Sequence, residues 1–244
     1  MSSWLSHVAL AVPPGPARWL AAAHVLAAGV LVLSPAADLA VSAAFADPNG
    51  GFRPSMPRLH NGLLFAVDVI AWTLLFGAAA VWLASRRRAP DDPAAVDRRR
   101  RVATVVIALV LGPGLLVNAV FKEHWDRARP RDIIEFGGSR AFTAAPWPAA
   151  QCPSNCSFVS GHAAVGYFPM VVARVDPRRA AAWVAAGAIG GLGLGAQRVA
   201  VGAHFVSDVV FAYFATAIGG WLAALILRLA QRWRAPEPPR SVPS

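Results

Sequence analysis

Charge is scarce in this sequence. Asp, Glu, Lys and Arg make up 15% of the 244 residues, whereas an ordinary soluble domain carries roughly a quarter. Hydrophobic residues make up 56%, and the mean hydropathy is +0.47. This composition excludes an ordinary soluble domain and indicates that lipid is the solvent. The sequence also lacks a nucleotide-binding loop, a metal-ligand cluster and a redox motif, so we expect no cofactor and no metal.

The apolar residues fall into blocks of roughly twenty, which is the length that crosses a hydrocarbon core about 30 Å thick. Six blocks predict six transmembrane helices, at 18–33, 62–84, 102–121, 157–173, 180–197 and 205–227. The glycines at 190–195 predict close helix packing. The predicted fold is an all-α integral membrane bundle over residues 1–234. The proline-rich segment 235–244 has no apolar run to bury and is expected to be a disordered cytoplasmic tail.

Arginines separate the apolar blocks and do not line one soluble face. A net charge of +10 can indicate a nucleic-acid binder, but Lys and Arg beside membrane spans mark the cytoplasmic side. The clusters at 86–101, 174–179 and 228–240 fall on one face when both termini are cytoplasmic. The loops at 34–61, 122–156 and 198–204 then face outward. We expect membrane lipids as partners and no nucleic acid.

The first of three polar motifs follows the third span. It reads Lys122-Glu-His-Trp-Asp-Arg-Ala-Arg129-Pro130, with Lys122 and Arg129 seven residues apart. The two cations share one face if the helix continues outward, and such a pair suits an anion. The structural alternative is a basic collar whose side chains snorkel to the interface.

The second motif, Ser157-Phe-Val-Ser160-Gly161-His162, opens the fourth span from its outer end. A helix N-terminus presents unpaired N–H groups and a positive dipole end to an anion such as phosphate. Ser160 can add its hydroxyl, Gly161 allows close approach of the backbone, and His162 lies within reach. The alternative makes Ser160 an N-cap and His162 an interfacial polar residue.

The third motif runs from Arg198 through His204 to Asp208, across the outer turn between the fifth and sixth spans. His204 and Asp208 are four residues apart, so on one helix the carboxylate lies beneath the imidazole and can hold one ring nitrogen. An Asp just inside an apolar span is costly unless it is paired, which marks a functional site. Helix capping is the alternative role for Asp208. The three motifs thus fall on the same predicted side of the membrane.

These residues resemble the type 2 phosphatidic acid phosphatase superfamily, whose pattern is K-x6-RP, then PSGH, then SR-x5-H-x3-D. The spacing within the first and third motifs matches in full, while Val159 stands where the family usually has Pro and Gln197 where it usually has Ser. The loop at 131–155 is also similar to that of bacterial members that act on lipid A. The resemblance implies a helical bundle in the bacterial inner membrane with a metal-independent phosphatase site at its outer, periplasmic edge.

The resemblance also assigns a role to each motif residue. His204 would attack phosphorus and Asp208 would orient its ring, and His162 would protonate the leaving alkoxide and then activate water. The groups that would bind the phosphoryl oxygens are Lys122, Arg129, the Ser160 hydroxyl, the Gly161 amide and Arg198. The implied function is hydrolysis of a lipid phosphate or pyrophosphate through a phosphohistidine.

Several substrates and functions fit these motifs. The candidate substrates are lipid A, phosphatidylglycerophosphate, phosphatidic acid and undecaprenyl pyrophosphate. A phosphotransferase would pass the same phosphate to a lipid or sugar acceptor. A haloperoxidase shares the arrangement but is soluble, which the six predicted spans argue against. A transporter or scaffold with a dead site is opposed by the complete set of catalytic residues.

Cysteine is rare in the chain. The two cysteines, Cys152 and Cys156, lie in the predicted outer loop just before Ser157. In an oxidising compartment they can form a disulfide that ties down the segment leading to Ser160. Free thiols are a second alternative. A zinc site is a third, but it would need further ligands that the nearby sequence does not supply.

Overall fold

A computed structural model of the protein describes residues 16–52, 57–86 and 92–234. Over those residues the chain is helical and has no strand, apart from an isolated backbone bridge between Ile133 and Arg140. The predicted all-α class is therefore confirmed. The segment 235–244, predicted to be a disordered tail, lies outside the described residues.

The helices follow one another along the chain with short connections. In order they are α1 (Pro16–Leu33), α2 (Ala36–Ala43), α3 (Pro57–Arg86), α4 (Pro93–Leu109), α5 (Lys122–His124), α6 (Gly161–Tyr167), α7 (Pro169–Val172), α8 (Ala180–Ala200) and α9 (Val206–Arg234). A π-helical segment, Val110–Phe121, joins α4 to α5. Pro113 lies in this segment and has no N–H to donate, which favours the wider turn.

Four helical stretches among the described residues are long and apolar enough to cross a membrane: Leu64–Ala84, Pro93–His124, Pro177–Ala200 and Val206–Gln231. A fifth candidate is α1 with α2, which are bent by 100° at the break between them. Helix α2 falls where the sequence predicted an outer loop. The predicted count of six spans is not confirmed, because the span expected at 157–173 consists of α6 and α7, which have 7 and 4 residues.

Large apolar side chains cover the outside of the long helices. Leu33, Phe65 and Ile189 are 87%, 71% and 74% exposed, and many others share this outward position. Apolar surface of this extent is unfavourable in water and suits the hydrocarbon of a bilayer. The structure therefore has the form of an integral membrane bundle, as predicted.

Small residues bring α6, α8 and α9 close together. A Cβ placed at Gly190 would lie 2.7 Å from the carbonyl oxygen of Gly166, closer than real Cβ contacts. Close packing is thus confirmed at Gly190, Gly191 and Gly195, whereas Gly193 faces open space. Around this contact Phe158, Tyr167 and Val209 form a buried core. The ends of α5, α6, α8 and α9 that carry the three motifs lie on this core.

Candidate active site

The first motif does not form one continuous helix. Helix α5 ends at His124, and Arg129 has an extended backbone with φ −82° and ψ 155°. The prediction that Lys122 and Arg129 share a helix face is therefore wrong. Instead the chain turns back beside the second motif, because the Cys156 N–H donates to the Lys122 carbonyl over 3.1 Å. The Arg129 guanidinium donates to the Asn155 carbonyl over 2.6 Å.

The Lys122 ammonium lies over the first residue of α6. A Cβ placed at Gly161 would be 3.2 Å from Lys122 Nζ, so the absence of a side chain makes room for the ammonium. Arg129 and Arg198 are both close enough to interact electrostatically with Lys122. The structure therefore brings these three cations together even though the first motif is not helical.

Ser160 caps α6. Its side chain is fully buried, and its oxygen accepts from the Ala163 N–H over 3.4 Å. Ser160 therefore has the N-cap role that the sequence offered as an alternative. The hydroxyl proton remains available for a second partner, because a hydroxyl both accepts and donates. His162 lies in the first turn of α6 and is half-buried. Helix α6 has only 7 residues, so its dipole is short.

His204 precedes α9 and is not part of it. The turn at 201–205 is made by Gly202, with φ +64°, and His204 N–H donates to the Arg198 carbonyl over 3.3 Å. Asp208 lies in the first turn of α9, where its Oδ2 accepts from the Phe205 N–H over 2.8 Å. This is the reverse half of a capping box. The prediction that His204 and Asp208 lie on one helix is therefore wrong, but the predicted pair itself is present, with His204 Nδ1 3.6 Å from Asp208 Oδ2. Asp208 also caps the helix.

The His204 ring is held by a backbone carbonyl. Its Nδ1 lies 2.7 Å from the Ser157 carbonyl oxygen and 3.6 Å from Asp208 Oδ2. A carbonyl can only accept, so we assign the proton of the neutral ring to Nδ1 and the lone pair to Nε2. The Asp208 carboxylate, which the sequence predicted to hold the ring, lies farther from Nδ1 than this carbonyl does. Asp208 remains near enough to stabilise a positive charge on the ring.

His204 is neutral at ordinary pH. Burial is the dominant cause and lowers its pKa from 6.5 to about 4, with the Asp208 carboxylate opposing and the charges of Arg129 and Arg198 adding to the shift. Only 2% of the residue is exposed. A neutral imidazole with its lone pair on Nε2 is the nucleophilic form of histidine.

Sequence reasoning missed Arg127 and Asp38. The Arg127 guanidinium is fully buried and donates to Asp208 Oδ1 over 2.6 Å and to Asp38 Oδ2 over 2.9 Å. It also donates to the Ser207 hydroxyl, and its Nε donates to the Thr143 carbonyl over 2.9 Å. Arg127 therefore joins the loop after α5 to both α2 and α9.

Two sequence signals could have found this network. Asp38 is a carboxylate in an apolar stretch, which marks a functional or paired charge. Arg127 is a third cation inside the first motif, between Lys122 and Arg129. What the sequence does not show is that α2 packs beside α9, where Ser207 N–H donates to Asp38 Oδ1 over 2.9 Å.

The Arg198 side chain has a buried donor without an acceptor. Only 7% of the residue is exposed, and its Nε–H meets no hydrogen-bond acceptor among the described residues. A buried, unsatisfied guanidinium donor is unfavourable unless an anion completes it. Within the part of the chain that the structure describes, no group of His, Cys, Asp or Glu is placed to hold a metal ion.

The two cysteines form a disulfide, with Cα atoms 5.7 Å apart. It closes the loop directly before Ser157, whose carbonyl holds His204 and whose hydroxyl donates to Asp208. The disulfide is thus adjacent in sequence to Ser157, the residue that contacts both His204 and Asp208.

The fold and the site define a class of protein: a helical membrane protein in which a neutral, buried histidine lies beside a carboxylate and a group of cations. The chain belongs to the PAP2 superfamily, whose family model matches residues 101–234. The resemblance drawn from the three motifs is thereby confirmed. No solved structure matches the chain significantly.

Several curated relatives of the chain are lipid A phosphatases. The chain is 36% identical to the lipid A 4'-phosphatase of Francisella tularensis subsp. novicida, over 56% of the chain and 62% of the relative. It is 40% identical to the lipid A 4'-phosphatase of Rhizobium leguminosarum, over 54% and 53%. It is 32% identical to the lipid A 1-phosphatase of Rhizobium johnstonii, over 74% and 71%. The match thus covers less than two thirds of both 4'-phosphatases.

Proposed function

We propose that the protein is a metal-independent lipid phosphate phosphatase that works through a phosphohistidine on His204. Membership in the PAP2 superfamily and similarity to lipid A phosphatases support the reaction class. Among the candidate substrates, lipid A is the one named for these relatives. Phosphatidic acid, phosphatidylglycerophosphate and undecaprenyl pyrophosphate are the comparison substrates.

The observation that carries the proposal is the state of His204. The His204 Nδ1–H donates to the Ser157 carbonyl over 2.7 Å, which leaves the lone pair on Nε2. Burial keeps the ring neutral at pH 7, with a pKa of about 4. Attack by Nε2 on phosphorus forms the N–P bond and breaks the bond to the leaving oxygen. The ring then carries a positive charge, which Asp208, 3.6 Å from Nδ1, stabilises.

The cations supply the charge that phosphoryl transfer requires. Arg198 offers a buried Nε–H without a protein acceptor, and Lys122 and Arg129 lie within electrostatic range of it. Stabilising the equatorial oxygens is most of the catalytic task in this chemistry. The Ser160 hydroxyl and the Gly161 amide complete the proposed oxyanion contacts.

His162 is the proposed general acid and base. It lies in the first turn of α6, next to Gly161 and the Lys122 ammonium. In the first step it gives a proton to the leaving alkoxide. In the second step it takes a proton from the water that attacks the phosphohistidine, so its protonation state is restored at the end of the cycle.

Trapping the phosphoenzyme tests the mechanism. The purified chain in detergent with EDTA is mixed with lipid A labelled with ³²P at the reacting phosphate, then quenched in alkali, where phosphohistidine survives. Wild type should carry acid-labile label and release inorganic phosphate. His204→Ala should lose label and turnover by several orders of magnitude, while its thermal unfolding stays near that of wild type.

Three outcomes contradict parts of the proposal. Wild-type turnover in His204→Ala excludes this nucleophile. Loss of activity in EDTA that Mg²⁺ restores excludes the metal-independent mechanism. Label that passes to a lipid or sugar acceptor, with no inorganic phosphate, identifies a phosphotransferase.

A further inference from the structure

Helix α2 turns its polar side chains inward and its apolar side chains outward. Its two polar residues, Asp38 and Ser42, are buried, with 1% and 0% of each exposed. Val41 and, two residues past the end of the helix, Phe45 are 37% and 47% exposed, and the other exposed residues of α2 are alanines. An amphipathic helix on a water-facing surface has the reverse arrangement, with its polar residues outward. The exposed face of α2 therefore suits an apolar surrounding.

The connection to α1 keeps α2 at the edge of the membrane. Two residues, Ser34 and Pro35, separate the helices, which are bent by 100°. Helix α1 has 18 residues, and at 1.5 Å per residue it is about 27 Å long, close to the thickness of a hydrocarbon core. It nearly completes the crossing alone, so α2 starts at the membrane boundary and runs along it. Leu33, the last residue of α1, is 87% exposed, and the apolar surface of α1 therefore continues onto α2.

The buried face of α2 is connected to the proposed active site. Asp38 accepts from the Arg127 guanidinium and from the Ser207 N–H, both over 2.9 Å. Arg127 also donates to Asp208 over 2.6 Å, and Asp208 lies 3.6 Å from His204 Nδ1. A displacement of α2 would therefore move a group that holds the partner of Asp208.

We propose that α2 is an interfacial helix, which lies in the plane of the membrane at the end of the bundle that carries the site. Its apolar face contacts the acyl chains of the phospholipids in that leaflet, and this contact holds Asp38 against Arg127. Transfer of Val41 and Phe45 from water into hydrocarbon is favourable, so the bilayer supplies a force that keeps α2 in place. The catalytic rate depends on this contact, a consequence that rests on the proposed function.

Accessibility measurements test the location of α2. Val41→Cys and Phe45→Cys are each labelled with a thiol-specific nitroxide, in nanodiscs of dioleoylphosphatidylcholine without substrate. Both labels should be accessible to oxygen, which concentrates in hydrocarbon, and protected from a nickel chelate that stays in water. Nickel access at both positions would place α2 in water and overturn the proposal. Protection from both reagents, with spin–spin broadening between labels on two chains, would show that a second copy of the chain covers this face, and would also overturn it.

Two further labels calibrate the measurement. Leu192→Cys is the lipid-facing reference, because Leu192 is 49% exposed on the membrane-spanning α8. Asn49→Cys is the water-facing reference, because Asn49 is an exposed polar residue in the loop after α2. Positions 41 and 45 should resemble position 192 and differ from position 49. The native cysteines are paired in a disulfide and do not compete for the label.

Activity measurements test the coupling of α2 to the site. Phe45→Gln places a polar amide in the apolar surrounding and should lower kcat roughly three- to tenfold, because Asp208 loses part of its support. KM should stay within about twofold, since substrate binding is not touched. Phe45→Leu stays apolar and should keep the wild-type kcat. Leu192→Gln introduces the same amide at a similarly exposed position away from α2 and should also keep it.

The two measurements separate this proposal from the proposed function, because nitroxide accessibility needs no turnover. Lipid contact at positions 41 and 45 in a chain that releases no phosphate would support the interfacial helix and reject the phosphatase alone. Phosphate release with the same kcat in Phe45→Gln, Leu192→Gln and wild type would overturn the coupling and leave the phosphatase intact.

Discussion

The Arg127 guanidinium lies 2.6 Å from the Asp208 carboxylate, and both side chains are fully buried. The same guanidinium contacts Asp38 over 2.9 Å, so one cation compensates two buried carboxylates on different helices. It also lies over the Phe205 ring, 4.2 Å from the centroid. Asp208 is therefore fixed beside His204 by a side chain that reaches across to α2.

Removing one member of this network should destabilise the protein. Asp38→Asn keeps the shape of the side chain but removes a charge that faces Arg127 in a buried environment. We expect a loss of about 3 kcal/mol or more, seen as a lower thermal midpoint in detergent, together with reduced kcat because Asp208 loses its support. Measuring both quantities separates loss of fold from loss of positioning.

Asp97→Asn provides the control for that prediction. Asp97 pairs with Arg101 over 2.8 Å on α4, but both side chains are about 40% exposed. An exposed pair contributes about 0 to 1 kcal/mol, so this variant should unfold and turn over like wild type. Equal effects of the two substitutions would show that burial of the Asp38 network has no special importance.

The sequence indicates which residues form the three motifs but not the contacts among them. Lys122, His162 and Arg198 could be found because residue type and spacing point to an anion site. The sequence predicts a helical backbone for Arg129, but the helix ends at His124. The turn that follows depends on hydrogen bonds to residues about thirty positions away. Long-range pairings of this kind leave no local periodicity to read.

The partner of His204 shows the same limit. The four-residue spacing predicts that Asp208 holds the ring, and Asp208 does lie 3.6 Å from Nδ1, but the carbonyl of Ser157 is closer, at 2.7 Å. Backbone carbonyls are present at every residue and carry no sequence signal. The predicted count of six membrane spans is not confirmed, because α6 ends at Tyr167 and the separate helix α7 begins at Pro169.

The titration of His204 can be measured directly. Selective ¹⁵N and ¹³C labelling of histidine, with assignment through His204→Asn, should give a midpoint near 4 and a neutral ring protonated at Nδ1. A midpoint near 6.5, or a proton on Nε2 in the neutral ring, would contradict the assigned nucleophile.

The lowered pKa of His204 determines how stability and activity should depend on pH. The folded pKa lies below the value of 6.5 for an unperturbed histidine, so the unfolded chain takes up this proton first as pH falls. The contribution of His204 to stability should therefore be complete above pH 6.5 and be lost as pH falls through about 4. His204 should lose its nucleophilic lone pair only as pH falls through its folded pKa of about 4. At pH 5 the group should therefore still be active, and kcat/KM should show no loss due to His204.

A methyl group at Gly161 should disturb Lys122 selectively. In Gly161→Ala the new Cβ would lie 3.2 Å from Lys122 Nζ, and the flexible end of that side chain can move away. We expect little change in thermal stability but a fall in kcat/KM of roughly ten- to a hundredfold, because small displacements of a phosphate-binding group are costly in rate.

Gly193→Ala in α8 is the matched control, because a Cβ there meets no atom within 4 Å. It should retain wild-type activity and stability. If Gly161→Ala is as active as this control, the position of the Lys122 ammonium over α6 does not matter to the reaction.

The site should face the periplasm. Ser139 lies in the loop beside the proposed site, whereas Arg178 lies in the basic turn that leads into α8, and both residues are exposed. Because Lys and Arg accumulate on the cytoplasmic side, we expect the two positions to lie on opposite faces of the membrane. The site would then meet lipid headgroups of the outer leaflet, in a compartment where the Cys152–Cys156 disulfide persists.

Single cysteines introduced as Ser139→Cys and Arg178→Cys allow this sidedness to be measured in intact cells with a membrane-impermeant maleimide. The native cysteines can stay, because a disulfide does not react with maleimide, and a parallel background lacking both checks that they do not contribute. Labelling at 139 and not at 178 is the expected result, with both positions labelled after the cells are opened. Labelling at 178 alone would invert the topology, move the proposed chemistry to the cytoplasm and remove the oxidising environment that favours the disulfide.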